Sequence, residues 1–413
     1  MKRILKKIGK YLLIIFIGLF ITVNAFILLS GRLYIYKGIA NTYLVGKMGP
    51  TIYDLDVFPY STLKATGTSE LSKHEDYNKS KIPTDMRTYI EDLETKAYLV
   101  FRGDSLLYEE YWDDHTQGTV SNSFSMAKTV VAMLIGIAIE DGKIGSLDES
   151  ASEYLPEFKG GELEKITIRH LLTMSSGLDW TESGKNPLSD NAESYYGWEL
   201  RELVTGQKLI TPPGKIFKYQ SGNSQLLAFI VEKATGQDLT AYAQEKIWDK
   251  IGATDDAHWS LDKEDGDEKA FCCMYATSRD YARLGLLLHN KGKVGDEQVV
   301  PEWFYNEMIR PAKLKTEYGI ENLQYGLHIW TYFGGENPAY YYRGVKGQYV
   351  ISIPAEDLLI VRIGSERKPK YEIPEEHKKD KNYVEKHKHE VGHALGFFKY
   401  IELGKLINSQ TKK

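Results

Sequence analysis

A serine placed three residues ahead of a lysine can become a nucleophile. Residues three apart share one face of a helix, so the lysine amine reaches the serine hydroxyl. The chain contains several such pairs: Ser61 with Lys64, Ser125 with Lys128, Ser260 with Lys263, Ser365 with Lys368 and Ser409 with Lys412. Ser260 leads into the acidic run 261–268, Ser61 lies in a polar stretch, and Ser365 and Ser409 belong to a charged tail. Only Ser125 opens an apolar helix, with Val130, Met133, Leu134 and Ile137 at helical spacing and Gly142 as terminator. A helix N-terminus favours negative charge on the serine and on an attacked carbonyl oxygen. Desolvation beside the serine disfavours the ammonium form of Lys128, so the amine can act as a base near neutral pH. The competing reading of the same residues is an N-cap serine with an exposed first-turn lysine.

A second motif is His389-Glu390-Val391-Gly392-His393. On a helix this spacing puts both histidines on one face with Glu390 poised as a base, the arrangement of a zinc peptidase. The extended pattern needs a third histidine where Lys399 stands, and a protonated lysine cannot ligate zinc. No methionine follows for the turn such enzymes use. The expectation is a C-terminal helix with incidental histidines, and no metal or organic cofactor. Cys272 and Cys273, the only cysteines, exclude a disulfide framework and a multi-cysteine metal cluster. Neighbouring cysteines rarely bridge, so the pair reads as two small buried residues.

Around these motifs, Ala97–Phe101 and Ser105–Tyr111 read as two strands joined by the turn Arg102-Gly103-Asp104. Helical patterns follow at 125–140, 167–173, 198–205, 222–235, 239–248 and 278–289. The segments 325–332, 339–343, 348–354 and 358–363 are then β-rich and separated by turns. Strands at both ends with helices between predict an α+β fold: one antiparallel sheet built from N- and C-terminal strands, with a helical insertion.

The 413 residues carry a net charge of −5, yet Lys2, Arg3, Lys6, Lys7 and Lys10 put +5 on the first ten, leaving −10 for the rest. No basic surface domain remains for a nucleic-acid partner. Tyr11–Leu29 is uncharged and long enough to cross a bilayer. The basic residues ahead of it predict a cytoplasmic N-terminus and an exported remainder. Val23-Asn24-Ala25 would suit signal cleavage, but the apolar run continues beyond it, favouring an uncleaved anchor. The expected organisation is a basic stub 1–10, a transmembrane helix 11–30, a connecting arm 31–85, a catalytic domain 86–365 and a charged tail 366–413. The catalytic domain is expected on the extracytoplasmic side, as at a bacterial inner membrane.

The stretches 123–129, 136–144, Tyr154-Leu155-Pro156 and 166–178 together resemble the serine β-lactamase and penicillin-binding protein superfamily, in its class C-like branch. The resemblance covers most of residues 90 to 365 and implies a β-lactamase/transpeptidase-like fold with Ser125 as nucleophile. The family's Tyr-x-Asn or Tyr-x-Ser element matches Tyr219-Gln220-Ser221. It implies that the Tyr219 oxygen shuttles a proton, helped by a cationic lysine that acidifies the phenol. Ser221 stands where many relatives carry asparagine. The third element, Lys-Thr-Gly or His-x-Gly, is replaced by Tyr342-Arg343-Gly344-Val345. Here Gly344 would admit substrate closely, and the Val345 N–H would join that of Ser125 as oxyanion hole. Arg343 would either bind a substrate carboxylate or pair with a local acid. The Gly-x-x-Gly-Gln ending, with Trp330 ahead of it, looks most like the 6-aminohexanoate-oligomer hydrolases and esterases, which implies a small-molecule amide or ester substrate rather than a β-lactam. A non-catalytic sensor or cell-wall-binding protein on the same fold is the alternative from another class.

Overall fold

The computed structural model describes residues 2–410. Its largest sheet is antiparallel and built from strands at both ends of residues 95–364, as the strand pattern predicts. The strands are β2 (Thr95–Arg102), β3 (Ser105–Tyr111), β7 (Trp330–Tyr332), β8 (Ala339–Gly344), β9 (Gln348–Ile353) and β10 (Leu358–Gly364). They lie in the order β7-β8-β9-β10-β2-β3, with Ile360 of β10 opposite Val100 of β2 closing the two halves. All seven residues of β10 are buried. Helices on both faces explain why such strands are continuous apolar runs rather than alternating ones.

Helix α5 (Ser278–His289) covers one face. Gly285 permits the approach, because a Cβ there would sit 2.5 Å from Val350 Cγ1. Helix α6 (Leu395–Ser409) covers the other, where a Cβ on Gly404 would meet Ile360 Cδ1 at 2.3 Å. Phe397, Tyr400, Leu403 and Ile407 of α6 are buried, and the Tyr98 hydroxyl donates to the Tyr400 carbonyl at 2.6 Å. The described part of the charged tail is therefore a layer of the fold. Its charged front, 366–388, masks the helical apolar spacing that follows.

The insertion contains α3 (Ala127–Glu140), packed on α4 (Ser221–Thr235), and supplies three strands of a second antiparallel sheet. That sheet is ordered β1-β5-β6-β4, from β1 (Tyr60–Leu63), β4 (Val120–Asn122), β5 (Ala257–Ser260) and β6 (Met274–Thr277). Since β1 pairs with β5 along its whole length, the stretch expected as a loose connecting arm is partly built into the fold. The strand expected over 325–332 shortens to β7, because His328 adopts φ 53° and its N–H turns to the Leu172 carbonyl. Cys272 and Cys273 are buried as expected but, contrary to expectation, bridged to each other. The chain turns sharply there, with Cys273 at φ 66°.

Among the described residues one helix, α1 (Lys2–Leu29), is long and apolar enough to cross a membrane, with mean hydropathy 2.8 in its most apolar window. Ile27 is its only buried residue.

Candidate active site

Ser125 sits in a single 3-10 turn, Phe124–Met126, that runs directly into α3. Phe124, just ahead of it, has φ 45°, in a region that side-chain-bearing residues rarely occupy. Asn122 holds that bend: its Oδ1 accepts from the Phe124 N–H at 2.8 Å, and its Nδ2 donates to the Tyr275 hydroxyl at 3.0 Å. The turn thus presents the Ser125 side chain at the helix start.

One helical turn on, Lys128 is 1% exposed. Its Nζ donates to Ser125 Oγ at 3.1 Å and also to the Phe271 carbonyl, next to the cysteine bridge. Burial lowers the Lys128 ammonium to about 8, although the Glu182 carboxylate pulls the other way. Its Nζ lies 5.4 Å from the centre of the Tyr219 ring. Burial first, and then Glu182, push the Tyr219 phenol well above its ordinary value, with Ser125 and Arg343 opposing more weakly. The shift runs opposite to the acidified phenol expected from the sequence, because desolvation and the Glu182 carboxylate both disfavour the phenolate. Trp330 and Tyr325 pack against its ring at 5.6 and 5.8 Å.

Glu182 was not found by sequence reasoning. It lies in the loop after Trp180, with no motif to mark it. Its Oε2 accepts from Trp180 Nε1 at 2.8 Å and from the Ser221 N–H at 2.7 Å, and its Oε1 accepts from Ser221 Oγ at 2.8 Å. The carboxylate sits where α4 begins, in keeping with the helix dipole. Ser221 is thus committed to Glu182 through both its N–H and its hydroxyl. His328, also missed, is fully buried, and burial lowers it to about 3. Its neutral ring bridges the Leu172 carbonyl and Ser224 Oγ, each at 2.8 Å, while Thr129 Oγ1 donates to its carbonyl.

At the other wall, the end of β8 is pressed onto the segment before Ser125. A Cβ on Gly344 would lie 2.2 Å from the Ser123 carbonyl oxygen. The missing side chain therefore makes room for the protein's own backbone, not for substrate as expected. Val345, 41% exposed, begins the short turn after it, in which Gly347 is buried. Arg362, fully buried, holds that turn by donating to the carbonyls of Gly347 at 2.8 Å and Lys346 at 3.1 Å.

Arg343 is 5% exposed, with its guanidinium 3.1 Å from the centre of the Trp330 ring and Nη1 donating to the Gly392 carbonyl at 2.7 Å. No acid pairs with it among the described residues. Lys370, from the tail, stands 5.9 Å from Trp330, and the charge of Arg343 lowers its ammonium below the ordinary value. A cleft of about 910 Å³ is lined by Trp180, Glu182, Tyr219, Trp330 and Lys370, among others.

The His389–His393 motif holds no metal geometry. Gly392, at φ 82°, breaks any helix between the two histidines, and His393 is buried with its Nδ1 2.6 Å from the Tyr341 hydroxyl. Among the described residues no cluster of His, Cys, Asp or Glu suits a metal ion.

The sequence profile of a family described as Beta-lactamase matches residues 87–379. A 6-aminohexanoate-dimer hydrolase of Paenarthrobacter ureafaciens is 26% identical over 297 residues, covering 68% of this chain and 75% of the relative. A solved structure from Bacillus anthracis, described as a candidate 6-aminohexanoate-dimer hydrolase, superposes with TM-score 0.69 at 22% identity, over 85% of this chain and 92% of that one. A family VIII carboxylesterase structure superposes with TM-score 0.56 at 15% identity, over 79% and 99% of the two chains.

Proposed function

The chain belongs to the Beta-lactamase family, and from that premise we propose that it is a membrane-anchored, exported serine hydrolase that cleaves amides or esters through an acyl-enzyme on Ser125. The observation that carries the reading is the Ser125–Lys128 contact at 3.1 Å, with the buried amine lowered to about 8. At pH 7 about a tenth of such a lysine is neutral, enough to supply a base at every turnover.

Neutral Lys128 takes the proton from Ser125 Oγ as the oxygen bonds to the substrate carbonyl carbon. Backbone N–H groups of Ser125 and Val345 hold the resulting oxyanion. The carbon–nitrogen or carbon–oxygen bond then breaks. The departing amine or alcohol takes its proton from Tyr219, which is restored from Lys128. Water attacks the acyl-serine, gives a proton back through the same pair, and releases the acid. The activities named for the relatives, a 6-aminohexanoate dimer and carboxylic esters, favour linear amides and esters over β-lactams.

Intact-mass spectrometry of the full chain in detergent tests this, after separate incubation with a fluorophosphonate and a penicillin. The expected result is a fluorophosphonate adduct on the wild type and none on Ser125→Ala. An equal penicillin adduct would move the substrate class to β-lactams, and no adduct on the wild type would overturn the hydrolase reading in favour of a binding protein.

A further inference from the structure

We infer that residues 33–48 form a lipid-contacting skirt that seats the catalytic domain on the outer surface of the bilayer. The inference rests on the reading of α1 as a membrane span. The apolar part of α1, Tyr11–Leu29, is about 30 Å long at 1.5 Å per residue, the thickness of a hydrocarbon core. After a turn at 30–33 the chain forms α2 (Tyr34–Asn41). The Tyr36 hydroxyl donates to Asn24 Oδ1 at 2.6 Å, so α2 begins beside the last two turns of α1, at the depth of the outer interface.

This segment exposes Leu33, Tyr36, Ile39, Tyr43, Leu44, Val45 and Met48, with Leu44 at 76% and Met48 at 87%. Single exposed apolar residues are ordinary on a soluble surface, whereas a run of seven continuous with a span is not. The charges of the segment face the other way. Lys37 Nζ lies over the rings of Phe58 and Trp198 at 4.7 and 5.2 Å, and Lys47 pairs with Asp54 at 2.8 Å. Just ahead, Arg32 is held by Glu193 at 3.3 Å and by the Tyr34 hydroxyl at 2.9 Å. What remains outward is apolar or tyrosine, the composition of a membrane interface. The occupant is lipid, because the face continues directly from α1.

The skirt is fixed to the domain. The Tyr34 hydroxyl donates to the Pro187 carbonyl at 2.9 Å, and α2 packs on Asp190–Tyr196, in the same loop region that carries Glu182. Seating these residues in the interface therefore sets the height of the cleft above the membrane.

The test uses the full chain in phosphatidylcholine–phosphatidylglycerol vesicles, with an environment-sensitive fluorophore at Ile21→Cys, Leu44→Cys or Met48→Cys. The native cysteines are buried and bridged, so they do not compete for label. The expected result is quenching of all three by nitroxide lipids. Leu44 and Met48 should lose about twofold in emission to a nitroxide near the headgroup and resist aqueous iodide. Quenching at Ile21 with iodide-accessible, lipid-insensitive labels at Leu44 and Met48 would overturn the skirt and leave the span standing. No lipid quenching at Ile21 would instead remove the span itself. Protection of Leu44 and Met48 that vanishes on dilution of protein in lipid would assign the face to a second copy and overturn the inference.

Discussion

At the scale of single residues, the proposed chemistry turns on how one amine is kept partly neutral. Burial lowers Lys128, while Glu182 works against it through space. Two expectations follow with a definite sign. The rate of fluorophosphonate labelling of Ser125 should rise with pH and level off above about 8, as the Lys128 ammonium loses its proton. Glu182→Gln removes the opposing carboxylate, so the midpoint of that rise should move to lower pH, and an unmoved midpoint would show that Glu182 only ties down Ser221. Stability should follow the same group. An ammonium whose folded value lies below its ordinary 10.5 costs stability in full below about pH 8, and that cost fades as pH rises toward 10.5. The phenol of Tyr219 behaves oppositely and stays protonated across this range.

Among the elements, the end of β8 and the turn bearing Ser125 are fitted to each other by the absence of one carbon atom. A Cβ on Gly344 would overlap the Ser123 carbonyl, a backbone atom with nowhere to move except with Ser125 itself. Gly344→Ala should therefore slow labelling of Ser125 by about 10²-fold, as a displacement near 1 Å does at a reacting centre. Thermal unfolding should change much less, since the strand keeps its pairing with β9. A labelling rate equal to that of the wild type would mean that the β8 edge takes no part. On the far side of the same turn, Arg362 replaces the water that the carbonyls of Lys346 and Gly347 would otherwise need.

For the molecule as a whole, the tail closes the fold and shapes the site at once. Helix α6 buries one face of the central sheet, while the segment ahead of it brings Lys370 and the Gly392 carbonyl to the cleft. Phe397 stacks on Tyr341 at 4.4 Å and is fully buried. Phe397→Ala should cost about 3–5 kcal/mol, visible as a lower melting temperature of the full chain in detergent. A melting temperature unchanged within error would show that α6 is dispensable to the fold.

How much of this was legible in the sequence depended on distance along the chain. Ser125 and Lys128 lie one helical turn apart, so local spacing alone puts amine beside hydroxyl. The strands 339–363 declare themselves by composition and turns, and the α+β class follows. A nineteen-residue uncharged run marks α1 without any fold at all. What the tertiary structure decided involves groups far apart in sequence. Glu182 acts on Lys128 from 54 residues away, Gly344 fits against Ser123, and Gly392 accepts from Arg343. The direction in which Tyr219 shifts likewise depends on desolvation and on Glu182, 37 residues away, and the His389–His393 spacing lost its meaning once Gly392 broke the helix. Periodicity records which residues share a face of one element. Burial and electrostatics depend on which elements meet, and only the folded chain fixes that.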